Sequence, residues 1–512
     1  MRFTTRFILA TRSAAALLLA ATTLAGCSLA DLGPKRHQVQ VAIAPTSVTL
    51  APSAQQGFAA TVSGTSNPSV TWSATGGAIT GTASAITYTA PAEAGTYEVR
   101  ATSAAQPDKH ATAQVLVAYP PGSAIWTRQF GSVSEDEGLA VATGATGHIA
   151  VAGRTDGDLA GGASLPGGAF VRLYSAAGAL VWADRFGADA GAEAHGVAMD
   201  AGGNVIVAGS VTGLLGTTDN GTVDAFVRKY SPTGDVIWTR QYGTPGFDWA
   251  RALAATPDGS LVVAGSTEGH LGAVNAGGSD AYVRKYDPDG NPVWTRQFGT
   301  AGTDLSFGVA IAGDQSVIVV GYTTGDLAGA VAGPGDAFVR KYGPDGDAQW
   351  TRQFGTAGND SADAVAVDEA GDVFVAGTAD GALSGPGLGD LEGYLRKYDS
   401  AGNNVWTRHI ATGLRDDAWG LAVDADGNAI VAGATEGNLD AANRGAQDAF
   451  VRKFDPDGNL VWSEQFGTAS YDLVMAAAVD GAGNVILTGY TGGDLAAPNA
   501  GESDVFLRKL AP

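Results

Sequence analysis

The stretch WTRQFGTAGTDLSFGVAIAGDQSVIVVGYTTGDLAGAVAGPGDAFVRKYGPDGDAQ, residues 294–349, decides the fold because related copies of it recur along the chain. A tryptophan returns every 56 residues, at Trp126, Trp182, Trp238, Trp294, Trp350, Trp406 and Trp462. A glycine keeps the same spacing, at Gly153, Gly209, Gly265, Gly321, Gly377, Gly433 and Gly489. No copy has gained or lost a residue between these markers. A fixed period of this kind is the signature of a repeat architecture.

Each copy contains four strand-like segments separated by turns. In the third copy they span residues 252–256, 260–266, 280–287 and 292–299. Four antiparallel strands repeated seven times predict a seven-bladed β-propeller over residues 124–512. Residues 124–131 supply a fourth strand before the first full copy, and the last copy stops after a third strand at 504–510. The N-terminal strand is therefore predicted to close the propeller by completing the last blade.

The repeated motifs W-x-R-Q-F-G, D-A-x-A-V-A-V-D, G-N-V-x-V-A-G and D-A-F-V-x-K-Y resemble the seven-bladed β-propeller repeat family (SBBP type) of secreted bacterial proteins. The resemblance covers residues 120–512 and implies the propeller fold. Members of the family differ in function, so the resemblance implies no particular chemistry.

The N-terminus has the layout of a bacterial secretory signal, with three arginines before an apolar run that ends in Leu-Ala-Gly-Cys. This ending resembles a lipobox, which implies a signal peptide at 1–26, a tether at 27–37 and diacylation of Cys27. A lipid anchor would hold the protein on a membrane of the cell envelope. Ser28 replaces the aspartate that marks inner-membrane retention and so favours the outer membrane. A plain signal peptide with an incidental cysteine remains the alternative.

Residues 38–118 show seven short segments of alternating apolar and polar residues, the pattern of a β-sandwich. They resemble a bacterial Ig-like domain at Trp72 and at Tyr97, where the tyrosine corner falls. Val99 stands where antibody domains have a cysteine, so apolar packing must hold the two sheets together. We expect a spacer, with adhesion as the alternative, joined by the linker 119–123 to the propeller. The predicted fold class is therefore all-β.

Composition excludes several kinds of function. The net charge of -22 disfavours binding to nucleic acid through a basic patch. A single cysteine rules out intrachain disulfides and cysteine metal motifs. No H-E-x-x-H, G-x-S-x-G or phosphate-binding glycine loop is present, and no two histidines have metal-binding spacing. We therefore expect no catalytic residues, no metal site and no cofactor.

One position near the start of the first strand differs in every copy: Leu139, His195, Arg251, Phe307, Asp363, Trp419 and Met475. This column lies on the face that carries the long connections between the second and third strands, where binding residues concentrate. Complete divergence indicates either freedom from constraint or a surface shaped for an asymmetric partner. The candidate ligand-binding residues are His195, Arg251, Phe307, Asp363, Trp419 and Met475, with the nearby Trp249.

Two acidic columns flank the same loops. One precedes the first strand, at Asp136, Asp248, Asp304, Asp360, Asp416 and Asp472, and the other opens the third strand, at Asp224, Asp280, Asp336, Asp448 and Asp504. Repetition in nearly every copy indicates a structural role, in which a carboxylate accepts backbone N–H groups at a turn. Calcium is the alternative, although no copy has the dense D-x-D-x-D-G loop.

Together these features predict a lipid-anchored envelope protein that acts as a non-enzymatic binding scaffold for a protein or glycan partner. The alternatives are a propeller enzyme, a hydrolase or lyase acting on a glycan or lactone, and a purely structural surface protein.

Overall fold

A computed structural model describes residues 38–159, 167–187, 191–256, 258–387, 389 and 391–512. The predicted signal peptide, tether and lipidation site at Cys27 lie outside the described residues. The chain divides into two compact units, with the division between Ala118 and Tyr119. Within the described ranges every regular element is a strand, which confirms the all-β prediction.

The first unit consists of two four-stranded sheets, β1-β3-β6-β5 and β2-β8-β7-β4. Its strands are β1 (Gln40–Ala44), β2 (Ser47–Leu50), β3 (Gln55–Ser63), β4 (Val70–Ala74), β5 (Ala78–Thr80), β6 (Ala85–Thr89), β7 (Gly95–Ser103) and β8 (His110–Val117). Phe58, Tyr88 and Val99 belong to one apolar core. The hydroxyl of Tyr97 donates to the Glu93 carbonyl oxygen at 3.1 Å. The sequence pattern missed β5, because three residues are too few to show an alternation.

The second unit is built only from strands of seven or eight residues within its described residues. They are β9 (Ala124–Phe130), β10 (Asp136–Thr143), β11 (Ile149–Thr155), β12 (Gly168–Tyr174), β13 (Leu180–Phe186), β14 (Ala192–Met199), β15 (Val205–Val211), β16 (Asp224–Tyr230), β17 (Val236–Tyr242), β18 (Asp248–Ala255), β19 (Leu261–Thr267), β20 (Asp280–Tyr286), β21 (Pro292–Phe298), β22 (Asp304–Ile311), β23 (Val317–Thr323), β24 (Asp336–Tyr342), β25 (Ala348–Phe354), β26 (Asp360–Val367), β27 (Val373–Ala379), β28 (Glu392–Tyr398), β29 (Asn404–Ile410), β30 (Asp416–Val423), β31 (Ala429–Thr435), β32 (Asp448–Phe454), β33 (Leu460–Phe466), β34 (Asp472–Val479), β35 (Val485–Thr491) and β36 (Asp504–Leu510).

These strands form seven four-stranded antiparallel sheets in the described part of the unit, running from β10-β11-β12-β13 to β34-β35-β36-β9. The first strand of each sheet packs against the first strands of its neighbours, and β34 packs against β10. In the last sheet β9 pairs antiparallel with β36, which places Trp126 opposite Lys509. Strands from the two ends of the unit thus share one sheet.

A repeated clasp joins the fourth strand of most sheets to the next sheet, although Asp184 and Glu464 replace its arginine in two copies. In one example Arg296 donates from Nε to the Gly346 carbonyl oxygen at 2.8 Å, and Trp294 donates from Nε1 to the Pro344 carbonyl oxygen at 3.2 Å. Gly346 has a φ of 81°. A Cβ added there would lie 3.0 Å from the Trp294 ring, so glycine is needed both for the turn and for the ring above it. The repeated tryptophan is therefore a contact between sheets.

A β-bulge interrupts every first strand at its fourth residue. In β18, Ala250 pairs with Gly265 and Ala252 pairs with Ala264, which leaves Arg251 without a partner in the ladder. The same shift recurs in β10, β14, β22, β26, β30 and β34. The glycine that the sequence repeats every 56 residues faces this bulge: a Cβ on Gly265 would collide with the Trp249 carbonyl oxygen. Only glycine allows the two backbones to approach so closely.

We expect Gly265→Ala to destabilise the second unit, because the new methyl group must displace the bulged backbone. The expected loss in unfolding free energy is about 3 kcal/mol, the upper part of the usual range for overpacking. Urea denaturation followed by circular dichroism measures it. Gly313→Ala is the matched control, since no atom lies within 4 Å of a Cβ there. Equal midpoints for the two variants would contradict the bulge interpretation.

Candidate functional site

All seven bulged residues line one cavity of about 350 Å³, which we call the central cavity. They are Leu139, His195, Arg251, Phe307, Asp363, Trp419 and Met475, each partly buried. The structure therefore brings together the six bulged candidates that the sequence singled out. Trp249 does not line the central cavity. Its ring stacks on Phe247, with centroids 5.4 Å apart, and it borders a neighbouring cavity beside Arg154 and Glu193.

The central cavity has a polar side and an apolar side. His195 and Arg251 come from the adjacent strands β14 and β18. Trp419, Met475 and Leu139 come from β30, β34 and β10, which also follow one another around the cavity. Phe307 on β22 and Asp363 on β26 stand between these two groups. A ligand in this space would meet charge at one end and an apolar wall at the other.

His195 has a carboxylate beside it. Its Nε2 lies 3.1 Å from Oε2 of Glu193, and its side chain is only 13% exposed. The hydrogen bond with His195 lowers the pKa of Glu193. Glu193 borders the neighbouring cavity, whereas His195 borders the central one. The sequence pattern did not single out this partner, which is the carboxylate two residues before His195.

Arg251 lacks an acidic partner. Among the described residues its guanidinium forms no ion pair, and its nearest aromatic neighbour is the Trp249 ring, with Cζ 5.7 Å from the centroid. Burial lowers the pKa of Arg251, and the charge of Glu193 opposes this shift in part. The guanidinium is thus a partly desolvated cation that faces an open cavity.

Asp363 is the carboxyl group of the central cavity. Ser361 donates from Oγ to Asp363 Oδ2 at 2.9 Å. Burial raises the pKa of Asp363 to about 7, and the nearby Asp417 adds to the shift. Asp363 also borders a smaller cavity that contains Asp417 and Arg415. Near neutral pH this carboxyl group can therefore either donate or accept a hydrogen bond.

The aspartates predicted to precede the first strands are the first residues of those strands, except in β14, which begins with Ala192, and they accept hydrogen bonds from protein donors. Oδ2 of Asp304 accepts the Thr300 backbone N–H at 2.6 Å and its hydroxyl at 3.0 Å. Oδ1 of Asp304 accepts the Thr323 hydroxyl. In the described part of the chain no three His, Cys, Asp or Glu side chains gather as metal ligands. Protein donors also occupy both oxygens of Asp416 and Asp472, whereas Oδ1 of Asp136 and Oδ1 of Asp248 have no partner in the described residues. The geometry of Asp304, Asp416 and Asp472 favours a structural role over calcium.

Comparisons with known proteins agree with the repeat. The family described as Beta-propeller repeat (SBBP) matches residues 349–383, so the chain carries a β-propeller repeat. Regulatory protein FlaEY of Caulobacter vibrioides is 29% identical over 401 residues, 67% of this chain and 41% of that protein. An uncharacterized WD repeat-containing protein of Acanthamoeba polyphaga mimivirus is 21% identical over 71% of this chain and 36% of its own length. The chain thus spans less than half of either relative.

Solved structures with some similarity include three enzymes. A puromycin hydrolase mutant has a TM-score of 0.43 at 12% identity and is matched over 73% of this chain and 53% of its own. Synechocystis apocarotenoid oxygenase has a TM-score of 0.35 at 11% identity, over 73% and 85%. Aldose sugar dehydrogenase from Streptomyces coelicolor has a TM-score of 0.33 at 12% identity, over 76% and 99%. Similarities this low carry no argument about function.

No helical segment in the described residues has the length and hydropathy that a membrane span requires.

We expect Asp363→Asn to change how stability depends on pH. A carboxyl group whose pKa is higher in the folded state binds a proton that the unfolded chain has released, so wild-type stability falls as pH rises from about 4 to about 7. The Asn variant lacks this loss. Its unfolding free energy minus that of the wild type should therefore rise by on the order of 2 kcal/mol across that pH window. Denaturation at several pH values measures it.

The matched control is Asp457→Asn, which makes the same change on an exposed turn. Its stability relative to the wild type should show no comparable trend. Parallel pH profiles for the wild type and Asp363→Asn would show that the Asp363 carboxyl group is not held in a desolvated place.

Proposed function

We propose that the chain is a non-enzymatic binding protein, and that its seven sheets form a closed seven-bladed propeller whose central cavity receives part of a protein or glycan partner. One observation carries this proposal: the seven positions that differ in every copy are bulged residues that converge on one cavity. Packing would keep copies of one unit alike. Seven different side chains around a shared space are what a site for an asymmetric partner requires.

The lengths of the loops also support binding at the face where the bulged residues lie. Between β19 and β20 the connection is twelve residues long, 268–279, whereas five residues join β20 to β21. In the β18–β19 hairpin Trp249 pairs with Ser266, two residues before the first residue of the long loop. The bulged residues thus lie near the ends of the strands that carry the long loops. A partner held by these loops could insert a group into the central cavity.

A second candidate is an enzyme that acts on a glycan or lactone. His195 with Glu193, Arg251 and Asp363 supply a base with its carboxylate, a cation and a carboxyl group with a pKa of about 7 around adjoining cavities. Such groups can serve as acid and base in hydrolysis or elimination. We place binding first, because Asp363 and His195 belong to strands separated by β18 and β22 and share no hydrogen bond in the described residues.

We also propose that residues 38–118 form an Ig-like spacer and that Cys27 carries a lipid anchor at the outer membrane. The two sheets of the first unit and the Tyr97–Glu93 hydrogen bond support the first proposal. The lipobox-like sequence that ends at Cys27 supports the second. Along the chain the anchor comes first, the spacer follows it, and the unit with the central cavity comes last.

Cys27→Ser should abolish lipid modification, because only a thiol accepts the diacylglyceryl group. Expression in a bacterial host fed labelled palmitate, followed by fractionation, measures both the label and the membrane-bound share. Ser28→Ala is the matched control and should keep both. Equal labelling of the two variants would refute the anchor at Cys27.

Trp249→Ala and Trp419→Ala, combined in one variant, should weaken binding to the partner, since aromatic faces stack on sugars and on apolar side chains. Glycan arrays and affinity capture of envelope proteins, each run beside the wild type, measure the loss. We expect a drop in affinity of about tenfold, the effect of losing one or two stacking contacts. Ile237→Ala, at a half-exposed position on a fourth strand, is the control.

The same experiment separates the two candidate functions. Recovery of the bound glycan intact supports the binding role, whereas a cleaved product that Asp363→Asn eliminates would establish the enzyme instead. If neither a glycan nor a protein is retained in a tryptophan-dependent way, the proposal is wrong.

A further inference from the structure

Arg251 combines a guanidinium that makes no ion pair or hydrogen bond with the described residues with a place on the central cavity. Nε of Arg284 and Nε of Arg340 also have no partner among the described residues, but these two guanidinium groups lie over the Tyr242 and Phe298 rings and do not line the central cavity. Arg154 lies 2.8 Å from Glu137, Arg415 lies 2.8 Å from Asp417, and Arg508 pairs with Glu464. The arginines of the repeated clasp, such as Arg296, bind carbonyl oxygens. Arg251 makes neither kind of contact with a described residue. A guanidinium that is partly removed from water without an acceptor loses solvation free energy that an anion could restore.

His195 places a second polar group on the same side of the central cavity. Its imidazole lies beside the Glu193 carboxylate, and Glu193 lines the neighbouring cavity. The Glu193 carboxylate therefore leaves the part of the central cavity beside Arg251 open to a ligand. An anion at Arg251 would have His195 on the adjacent strand as a further hydrogen-bonding neighbour. The fixed fork of a guanidinium matches the two oxygens of a carboxylate.

The opposite side of the cavity suits an apolar group. Trp419, Met475 and Leu139 form a continuous wall, and Phe307 lies next to Arg251 in the order of strands. A cavity of about 350 Å³ falls within the usual size for small-molecule sites. Large polyanions are disfavoured, because the chain carries a net charge of -22 and Asp363 borders the same space.

We propose that the central cavity binds a small monocarboxylate with an aromatic or apolar body, with its carboxylate on Arg251 and its body against Phe307 and the Trp419–Met475–Leu139 wall. This inference rests on the proposed binding function and names the chemistry of the ligand. The carboxylate can belong to a free small molecule or to the C-terminal residue of a peptide, since both present the same group.

Isothermal titration calorimetry of the full chain tests the proposal, with indole-3-acetate, phenylacetate and octanoate as probes. Indole-3-acetamide and phenylacetamide are matched neutral ligands, and a peptide ending in tryptophan with a free or an amidated C-terminus separates the two sources. We expect each bound acid to exceed its amide in affinity by about ten- to a hundredfold, the range for hydrogen bonds to a charged partner.

Arg251→Gln should lower the affinity for the acids by a similar factor and leave the affinity for the amides unchanged. Arg251→Lys keeps the positive charge but lacks the guanidinium that can bind two carboxylate oxygens, so it should recover part of the lost affinity. Binding by this variant also shows that a substituted site still folds. Arg444→Gln removes the same charge at an exposed position and is the control.

Equal affinities for acid and amide, or an unchanged affinity in Arg251→Gln, would overturn the proposal, as would the absence of binding to every acid at millimolar concentration. Tryptophan-dependent retention of a partner with no binding of acids would reject this inference alone. If no partner is retained in a tryptophan-dependent way and no acid binds, the proposed function is rejected as well.

Discussion

The close approach of two backbones at each second-strand glycine is the constraint on which the site depends. Because residues such as Gly265 have no Cβ, the carbonyl oxygen of the facing first strand can lie against their Cα atoms. The first strand then takes up one extra residue as a bulge, and Arg251 or its equivalent loses its ladder partner. Bulges redirect side chains and are frequent beside functional sites. Here the same bulge, made seven times within the described residues, sends seven side chains to one cavity.

The sequence shows the repeated glycine and the variable column, but it does not show that the glycine faces the variable position in the structure. Exact spacing made the invariant glycine and the fully variable column visible, and the strand pattern was sufficient for all-β structure with four strands in each copy. The bulge escaped prediction because it is a shift in pairing register, which alternation along one strand does not reveal. The pairing of His195 with Glu193 escaped for a related reason: a histidine–glutamate spacing of two is common, and only burial makes it informative. The raised pKa of Asp363 likewise depends on burial in the folded chain and on the nearby Asp417, which the sequence alone does not reveal.

The contacts that define the fold are separated from those that define the cavity. Between sheets, Arg296 and Trp294 donate hydrogen bonds to carbonyl oxygens of the next turn. The arginine contact recurs at Arg128, Arg240, Arg352 and Arg408. Within the loops, Asp304 binds threonine side chains and backbone. These groups recur nearly unchanged because each copy needs them for packing. A bulged residue has no ladder partner to satisfy, so its side chain can change with less effect on the fold.

This separation explains why similarity in the repeat conveys little about the ligand. A substitution at one bulged position changes one of the seven bulged side chains that line the cavity and leaves the clasps and loops as they were. A relative can therefore keep the repeat and hold a different ligand, and 29% identity over part of a longer protein does not carry a binding specificity with it. In this chain His195 and Arg251 occupy neighbouring strands, and Trp419, Met475 and Leu139 occupy another run of neighbouring strands, with Phe307 and Asp363 between the two groups. The proposed specificity follows from that order around the cavity, because it sets the His195 and Arg251 side chains opposite the apolar wall.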